Sequence, residues 1–310
     1  MIVKKTILIT GGAGFIGSHL AGELAKENEV IIIDDLSTGR LENIRELRQR
    51  ENVNFIKGSI TDYDLLKENF KDIDFVFHLA ALASVPESIK DPMTSNSVNI
   101  NGTLNMLMAA RENEIKKVIF TSSCAVYGDT EIIPVPETSA LNPKSPYAVA
   151  KLTGEYYCNV FRDLFNLPVI SLRYFNVYGP RQNPLSEYAA VVPKFISNVM
   201  KDKPPIIYGD GFQTRDFVFV KDVVRANIFA ALSKESGSFN IGSGVSTSIV
   251  GLAETIIRVH GKDIEPVHKE PREGEIRNSR ADISKAQALG YAPEYSLEEG
   301  LMETVRTFSQ

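Results

Sequence analysis

Short apolar runs rich in β-branched residues alternate with longer amphipathic stretches along the first half of this 310-residue chain. The runs are short and mostly apolar, which predicts buried parallel strands. They lie at residues 6–10, 30–34, 53–57, 75–79, 118–122 and 169–174. The stretches between them predict helices over residues 14–26, 63–70, 94–113 and 147–165. This alternation predicts an α/β fold with a doubly wound parallel sheet and right-handed crossovers.

The alternation stops after Tyr174. A loop-like segment follows at residues 179–184, and a helix is predicted over 189–201, around Pro193. Residues 218–232 return to the α/β pattern, whereas 240–310 is mixed and interrupted by prolines. We therefore predict a large domain at 1–176, to which 217–239 returns, and a smaller substrate-binding lobe within 177–310. Ligands of such open sheets bind at the carboxyl ends of the strands, where the strand order reverses.

Composition limits the classes of protein to consider. A hydrophobic content of 43% and a charged content of 24% are ordinary for a globular domain in water. The net charge of −5 argues against nucleic acid as the main partner, because no basic field would release counterions. No apolar run approaches the roughly 18 residues of a membrane span, and the apolar N-terminal run is too short for a signal peptide. Two cysteines, Cys124 and Cys158, suit a reducing compartment, so we expect a cytoplasmic protein.

A glycine-rich turn follows the first predicted strand, in the order Gly11-Gly-Ala-Gly14-Phe-Ile-Gly17. Gly11 allows the tight turn, Gly14 lets the backbone approach a pyrophosphate, and Gly17 lets the helix pack against the sheet. The N-terminus of that helix then offers a partial positive charge to the phosphates. Asp34, at the end of the second strand, would accept hydrogen bonds from the adenosine ribose and would repel a 2′-phosphate. The turn therefore predicts a Rossmann-type dinucleotide site that binds NAD rather than NADP.

A second set of residues predicts chemistry beside that cofactor. Tyr147 and Lys151 are spaced i, i+4 and share one face of a predicted helix. A free tyrosine, with a pKa of about 10, is a poor base at neutral pH. A neighbouring ammonium and a positive nicotinamide ring would favour the phenolate and lower that pKa. Ser123, or its neighbour Ser122, ends a predicted strand and can hydrogen-bond the reacting oxygen, so the set predicts a base beside a carbinol carbon that gives up a hydride.

With these motifs, the chain resembles the extended short-chain dehydrogenase/reductases, and among them the nucleotide-sugar 4-epimerases. The resemblance covers essentially the whole chain. Its further motifs are His78-Leu-Ala-Ala81, Asn99-Ile-Asn-Gly-Thr103, the stretch from Ser122 to Gly128, Arg173-Tyr-Phe-Asn176 and Arg215-Asp216. It implies that Tyr147 deprotonates the sugar 4-hydroxyl while hydride passes from carbon 4 to tightly bound NAD. The 4-keto sugar then turns about its diphosphate link and receives the hydride on its other face.

The resemblance also implies which residues touch the ligands, with Ser123, Tyr147 and Lys151 as the catalytic set. The implied cofactor-binding residues are Gly11, Gly14, Phe15, Ile16, Gly17, Asp34, Ser59, Ile60, Leu79, Ala80, Ala81, Asn99, Tyr147, Lys151 and Phe175. The implied UDP-sugar-binding residues are Ala83, Ser84, Ser123, Tyr147, Asn176, Val192, Tyr208, Arg215, Arg272, Glu275 and Ser279. In the family, the positions of Asn176, Arg215 and Arg272 hold the diphosphate, and those of Tyr208 and Glu275 lie near the uracil and its ribose. Members of the family commonly form homodimers through two paired helices. In this chain the candidate helices are 94–113 and 147–165, whose apolar stripes could equally belong to the core.

Three positions depart from common family patterns. Ser59 stands where many relatives carry an aspartate that meets the adenine, so the backbone of Ile60 is the alternative contact. Ala83 and Ser279 stand where enzymes for non-acetylated sugars often carry a lysine and a tyrosine. A serine at 279 leaves room for an N-acetyl group, although it permits both classes of sugar. We therefore expect epimerisation of UDP-N-acetylglucosamine to UDP-N-acetylgalactosamine, with UDP-glucose/UDP-galactose, or dual specificity, as the alternative.

Other activities of this fold fit the sequence less well. A 4,6-dehydratase needs an acid pair after the strand serine and a decarboxylase usually carries an acid there, whereas this chain has Cys124-Ala125. A net dehydrogenase would release its cofactor and accumulate NADH. A non-catalytic sensor normally loses the tyrosine or the lysine, and both are present. We expect no metal, because the histidines show no i, i+4 ligand pair and none lies beside paired cysteines: His19, His78, His260 and His268.

Overall fold

The computed structural model describes residues 1–183, 190–271 and 276–308. Its strands are β1 Thr6–Thr10, β2 Glu29–Asp34, β3 Val53–Lys57, β4 Phe75–His78, β5 Lys117–Ser123, β6 Val169–Tyr174, β7 Asn176–Tyr178, β8 Ile206–Tyr208, β9 Thr214–Arg215, β10 Phe217–Phe219, β11 Gly237–Ile241, β12 Thr247–Ser248 and β13 Val267–Lys269. Its helices are α1 Phe15–Leu24, α2 Tyr63–Asn69, α3 Val85–Lys90, α4 Pro92–Asn96, α5 Gly102–Glu112, α6 Pro146–Phe165, α7 Val191–Met200, α8 Val220–Leu232, α9 Ile249–Val259, α10 Ser284–Gln287 and α11 Leu297–Phe308. A π-helical turn, Ser97–Asn101, joins α4 to α5.

The central sheet is parallel and has the strand order β3-β2-β1-β4-β5-β6-β11. From β1 the chain adds strands towards one edge, and with β4 it returns to the other side of β1 and continues to the opposite edge. This order confirms the predicted doubly wound α/β fold. The switch point between β1 and β4 opens a crevice at the carboxyl ends of the strands, which is where ligands bind in such sheets.

Alternate side chains of the sheet pack into two apolar cores. Ile7 and Ile9 of β1 face the core under α1 and α8, whereas Leu8 faces the core under α2, α5 and α6. Successive side chains of a strand point to opposite faces, so a strand that is covered on both sides is mostly apolar and does not alternate with polar residues. This explains the continuous apolar runs in the sequence.

The predicted strands are all present, and their ends differ from the prediction by at most one residue. The helix predicted over 94–113 begins earlier, at Pro92, because Asp91 caps α4 by accepting a hydrogen bond from the amide of Thr94. The strand β11 was not predicted as a strand. Its sequence, Gly-Ser-Phe-Asn-Ile, is only partly apolar, and it joins the edge of the sheet beside β6.

A third apolar core lies outside the central sheet and gathers residues from β7, α7, β10, α9 and α11. Tyr291, late in the chain, packs instead with the core of the central sheet under α1 and α8. The division into domains near residue 177 stays a prediction. Within the described ranges, no helix is both long and apolar enough to cross a membrane.

Candidate active site

The glycine turn leaves no room for side chains where it bends most sharply. Gly11 has φ +71°, and a Cβ there would lie 2.6 Å from the amide nitrogen of Ala80. A Cβ on Gly17 would lie 2.2 Å from the carbonyl oxygen of Gly11. Gly14 precedes the first residue of α1, so the free amides of that helix open onto the crevice. The turn has the close backbone approach that a pyrophosphate requires.

Asp34 ties this turn to the end of β2. Its Oδ2 accepts a hydrogen bond from the amide of Ala13 at 2.9 Å, and its Oδ1 accepts one from Leu36 at 2.9 Å. Burial raises the pKa of Asp34, while these backbone donors act in the opposite direction. Each carboxylate oxygen keeps a lone pair for a further donor, such as a ribose hydroxyl. Asp34 therefore anchors the turn as well as facing the crevice.

The crevice is a cavity of about 750 Å³, which we call the cofactor cavity. The predicted cofactor residues that line it are Gly11, Gly14, Phe15, Ile16, Gly17, Asp34, Ile60, Leu79, Ala80, Ala81, Tyr147, Lys151 and Phe175. The predicted sugar-binding residues Ala83, Ser123 and Asn176 line it too. The roles of these residues stay predictions, but the structure brings them to one cavity.

Two predicted cofactor residues lie outside this lining. The hydroxyl of Ser59 is hydrogen-bonded to Thr61, whereas Gly58 and Ile60 on either side of it line the cavity. Asn99 lies behind the cavity wall, in the π-helical turn, and is buried. Its carboxamide accepts from the amide of Leu82 at 2.8 Å and donates to the carbonyl of Leu82 at 3.0 Å. Asn99 therefore holds the wall of the cavity in place through Leu82.

A chain of hydrogen bonds continues from Asn99 to the first strand. The hydroxyl of Thr103 donates to the carbonyl of Asn99 at 2.7 Å, so it accepts from Nε2 of His78 at 3.1 Å. Nδ1 of His78 then accepts from the hydroxyl of Thr10 at 2.7 Å. This pattern requires a neutral imidazole, and burial lowers the pKa of His78 to about 3. His78 is a core residue that links β4 to β1 and to the helix behind the cavity.

The catalytic set is positioned by the start of α6 and the end of β5. Ser145 caps α6 by accepting a hydrogen bond from the amide of Ala148, and proline follows as the first helical residue. Tyr147 and Lys151 therefore lie in the first two turns of that helix. The Lys151 ammonium donates to the carbonyl of Thr121 at 2.8 Å and lies 5.9 Å from the centre of the Tyr147 ring.

The sequence did not decide whether Ser122 or Ser123 can hold the reacting oxygen, and the structure distinguishes the two. Ser123 lies close enough to the phenol of Tyr147 to favour the phenolate, and both side chains line the cofactor cavity. Ser123 Oγ accepts from the amide of Ala125 at 3.2 Å, so its own proton remains available for donation. Ser122 instead donates to the buried carboxylate of Glu155. Ser123 is therefore the residue that can hold a reacting oxygen beside the phenol.

The pKa of Tyr147 depends mainly on burial. In the protein alone, burial raises it to about 12, and the nearby hydroxyl of Ser123 only partly opposes that rise. Burial also lowers the pKa of Lys151 to about 8, which weakens the ammonium as a source of positive charge. In the protein alone, desolvation of the phenolate therefore outweighs the ammonium. The prediction that the ammonium and a positive nicotinamide ring together lower the pKa of Tyr147 stays a prediction.

A second cavity, of about 540 Å³, adjoins the first and shares Asn176 and Val177 with it. We call it the nucleotide cavity. The predicted UDP-binding residues Val192, Tyr208 and Arg215 line it with Asn176. Arg272 and Glu275 lie outside the described residues.

Two further predicted sugar-binding residues lie outside the lining of both cavities. Ser84 caps α3 by accepting a hydrogen bond from the amide of Glu87. The amide of Ser279 donates to the carbonyl of Thr214, which places Ser279 beside the strand that carries Arg215. Ser279 is thus next to the diphosphate residue that the sequence predicted.

Among the polar residues of the cavity walls that the sequence reasoning missed are two glutamines. Gln182 lines the cofactor cavity and donates to the carbonyl of Val177. Gln213 lines the nucleotide cavity and donates to the carbonyl of Tyr208 at 2.9 Å. Gln182 follows the predicted loop at Gly179-Pro180, and Gln213 lies just before Arg215. A polar side chain so close to a predicted site was the signal that could have identified both.

The fold and this site define a class of protein, the extended short-chain dehydrogenase/reductases, which pair a dinucleotide turn with a serine, a tyrosine and a lysine. The chain belongs to the NAD dependent epimerase/dehydratase family, whose profile matches residues 7–242. This confirms the resemblance to nucleotide-sugar 4-epimerases, and NAD as the cofactor. The cofactor cavity fits NAD, because positions 11 and 17 have space only for hydrogen and the carboxylate of Asp34 lines the same cavity.

Three relatives show the range of substrates among similar chains. The solved UDP-N-acetylglucosamine 4-epimerase of Methanobrevibacter ruminantium M1, bound to UDP-N-acetylmuramic acid, is 45% identical, with a TM-score of 0.97 and 99% of each chain covered. The UDP-glucose 4-epimerase of Mycolicibacterium smegmatis is 41% identical, with 97% of each chain covered. The solved UDP-glucuronic acid 4-epimerase of Bacillus cereus, bound to UDP-glucuronic acid and NAD, is 36% identical, with a TM-score of 0.91, and covers 98% of this chain and 99% of its own.

Proposed function

We propose that this protein is an NAD-dependent UDP-sugar 4-epimerase, which inverts carbon 4 of a UDP-hexose through a transient 4-keto sugar. The observation that carries this proposal is the meeting of the two cavities at Asn176, beside the cluster of Ser123, Tyr147 and Lys151. A nucleotide sugar in the nucleotide cavity would extend its hexose towards the phenol of Tyr147. Relatives with three different UDP-sugars in their names support the reaction more strongly than any one substrate.

Two residues of the chain provide the base that takes the proton and the hydrogen-bond donor to the reacting oxygen. Tyr147, as phenolate, takes the proton of the 4-hydroxyl, and Ser123 donates a hydrogen bond to the oxygen that becomes the ketone. NAD, when bound, supplies the acceptor for the hydride from carbon 4 and a positive charge that favours the phenolate. Once the keto sugar has turned and carbon 4 has received the hydride on its other face, Tyr147 returns the proton. The cycle leaves no net oxidation.

The turn of the sugar requires an anchor that stays bound. Arg215 and Asn176 line the nucleotide cavity where a diphosphate would lie. A guanidinium meets phosphate oxygens in a planar fork, so it can hold the diphosphate while the hexose swings. Arg272 is proposed for the same role on the resemblance alone.

For the sugar, we propose UDP-N-acetylglucosamine and UDP-N-acetylgalactosamine. Two small residues support this choice: Ala83 lines the cofactor cavity, and Ser279 lies beside the strand of Arg215. Both side chains are small, which favours a site with room for an acetamido group. UDP-glucose and UDP-galactose are the second candidate pair, supported by the 41% identical UDP-glucose 4-epimerase.

The test is to incubate the purified protein separately with these four UDP-sugars and to resolve the products by chromatography. We expect conversion within the acetylated pair, faster than within the plain pair, and no growth of absorbance at 340 nm. Accumulation of NADH would indicate a dehydrogenase instead. No conversion of any of the four would contradict the proposed function.

We also propose a homodimer formed through α4, α5 and α6. On α6, the spacing of Val149, Tyr156, Val160 and Leu164 places four exposed apolar side chains on one face, and Leu164 is 70% exposed. Met93, at the start of the neighbouring α4, is 78% exposed. A second copy of the chain would cover this stripe.

Sedimentation or light scattering tests this assembly, with an expected mass of twice 34.3 kDa. Leu164→Glu should yield monomer. Leu232→Glu, at an exposed leucine of α8 outside the stripe, is the matched control and should stay dimeric. A monomeric parent would refute the dimer.

The free thiols Cys124 and Cys158 support a cytoplasmic, reducing location as a further proposal.

A further inference from the structure

A buried ion pair lies directly behind the catalytic residues, between Glu155 of α6 and Arg173 of β6. The carboxylate accepts from Nε of Arg173 at 2.9 Å and from Nη2 at 2.6 Å, and both side chains are at most 5% exposed. The carboxylate also accepts from the hydroxyls of Ser122 and Ser238. The pair is therefore fully hydrogen-bonded, as a buried charge has to be.

This pair is bonded to the chain on both sides of Ser123. Ser122, immediately before it, donates to Glu155. Tyr127, at the end of the short turn that follows it, accepts from Nη1 of Arg173 at 2.8 Å. The strand end that presents Ser123 is thus held at two points.

The same pair is attached to the helix that carries the base. Glu155 lies one turn after Lys151 on α6 and two turns after Tyr147. The helix also approaches β5 closely at Gly154, where a Cβ would lie 2.4 Å from the ring of Phe120. Together with the hydrogen bond from Lys151 to Thr121, these contacts fix the helix against the strand over successive positions.

We propose that Glu155 and Arg173 are positioning residues, which set the distance and orientation between the phenol of Tyr147 and the hydroxyl of Ser123. A misplacement of about 1 Å can slow a reaction about 100-fold, so the contacts that align the helix with the strand matter for the rate. Apolar residues of similar volume commonly stabilise a core as well as or better than a buried ion pair does. An ion pair retained at this place is therefore better explained by alignment than by stability. The inference rests on the proposed function for its assay.

The decisive variant removes both charges at once, as Glu155→Leu combined with Arg173→Met. We expect near-parental thermal unfolding, at least tenfold lower kcat, and unchanged KM for the UDP-sugar and unchanged content of bound NAD. The pH at which kcat reaches its half-maximum should move upward, because a displaced Ser123 no longer favours the phenolate. A kcat within twofold of the parent, with the pH profile unmoved, would overturn the proposal.

Two further variants keep the test decisive if the double variant does not fold. Ser122→Ala removes only the bond to the strand end and leaves the ion pair intact, so it should fold and show a several-fold lower kcat with the same shift in pH. Parental kcat in that variant would count against the proposal.

The control variant, Asp222→Asn, alters another buried carboxylate, which accepts hydrogen bonds from the amides of Glu294 and Tyr295 away from the cavities. It should lower thermal stability without changing kcat.

Failure of the proposed function is recognised separately. If the parent converts no UDP-hexose, the phenol of Tyr147 can still be titrated in the NAD-bound proteins, by ultraviolet difference absorbance between each protein and its Tyr147→Phe counterpart. The double variant should then show a higher pKa for that phenol. An unchanged pKa would refute the positioning role without reference to any substrate.

Discussion

Replacement of Tyr147 by phenylalanine is the most direct test of the proposed chemistry. The change removes one hydroxyl that lies near Ser123, and Ser123 keeps its bond with Ala125. Loss of a positioned general base lowers turnover by roughly 10²–10⁴-fold. At about 1.4 kcal/mol per factor of ten, this corresponds to about 3–5 kcal/mol of transition-state stabilisation. Even the loss of a buried hydrogen bond costs only about 0.5–1.5 kcal/mol of folding free energy, so activity should fall far more than stability.

The assay combines chromatography of the UDP-sugar products with thermal unfolding and with the absorbance of bound NAD. The parent should gain activity as the pH rises through the neutral range, because the active form of Tyr147 is deprotonated and burial raises its pKa. Tyr156→Phe is the matched control, since Tyr156 is exposed on the same helix. A Tyr147→Phe protein that retains more than a tenth of the parental turnover would refute the assignment of the base.

Three other changes test separate parts of the structure. Gly17→Ala should abolish NAD binding, because its Cβ would lie 2.2 Å from the carbonyl of Gly11, whereas Gly22→Ala, in the same helix with open space, should stabilise the fold by about 1 kcal/mol. Retention of NAD after gel filtration of the Gly17→Ala protein would contradict this. Ser279→Tyr should remove activity on the acetylated UDP-sugars and spare UDP-galactose, and equal loss on both pairs in the product assay would argue against a size filter at that position. The pKa of His78 is lowered to about 3 from 6.5 in the unfolded chain, so the unfolded state binds a proton first as the pH falls below 6.5. This histidine should therefore destabilise the fold by about 1.4 kcal/mol per pH unit between 6.5 and 3, and a charged imidazole at pH 5 in its NMR spectrum would show that reasoning to be wrong.

Much of the fold could be predicted from the sequence because it is encoded locally. The apolar runs predicted the first six strands of the sheet, since a strand with both faces covered is mostly apolar. The edge strand β11 was missed, because only Phe239 and Ile241 in it are large and apolar. An edge strand needs less apolar surface than a central one, so its pattern is weaker.

The candidate site was predictable where spacing alone defines it. Residues spaced i, i+4 on a helix share one face, as Tyr147 and Lys151 do, and the glycines of the turn follow one another in a fixed order. Asn99 was assigned to the cofactor from its motif, whereas the structure places it behind the wall, bonded to Leu82. That contact depends on how the π-helical turn is oriented, which no local pattern encodes.

The sequence by itself determined the doubly wound sheet, the glycine turn for NAD and the spacing of the tyrosine and the lysine, because each follows from backbone sterics or from periodicity. Only the tertiary structure decided that Ser123 rather than Ser122 faces the phenol, since Ser122 is held by Glu155, 33 positions later in the chain. It also decided that the pKa of Tyr147 rises, because desolvation depends on how much protein surrounds a group and not on its neighbours in sequence.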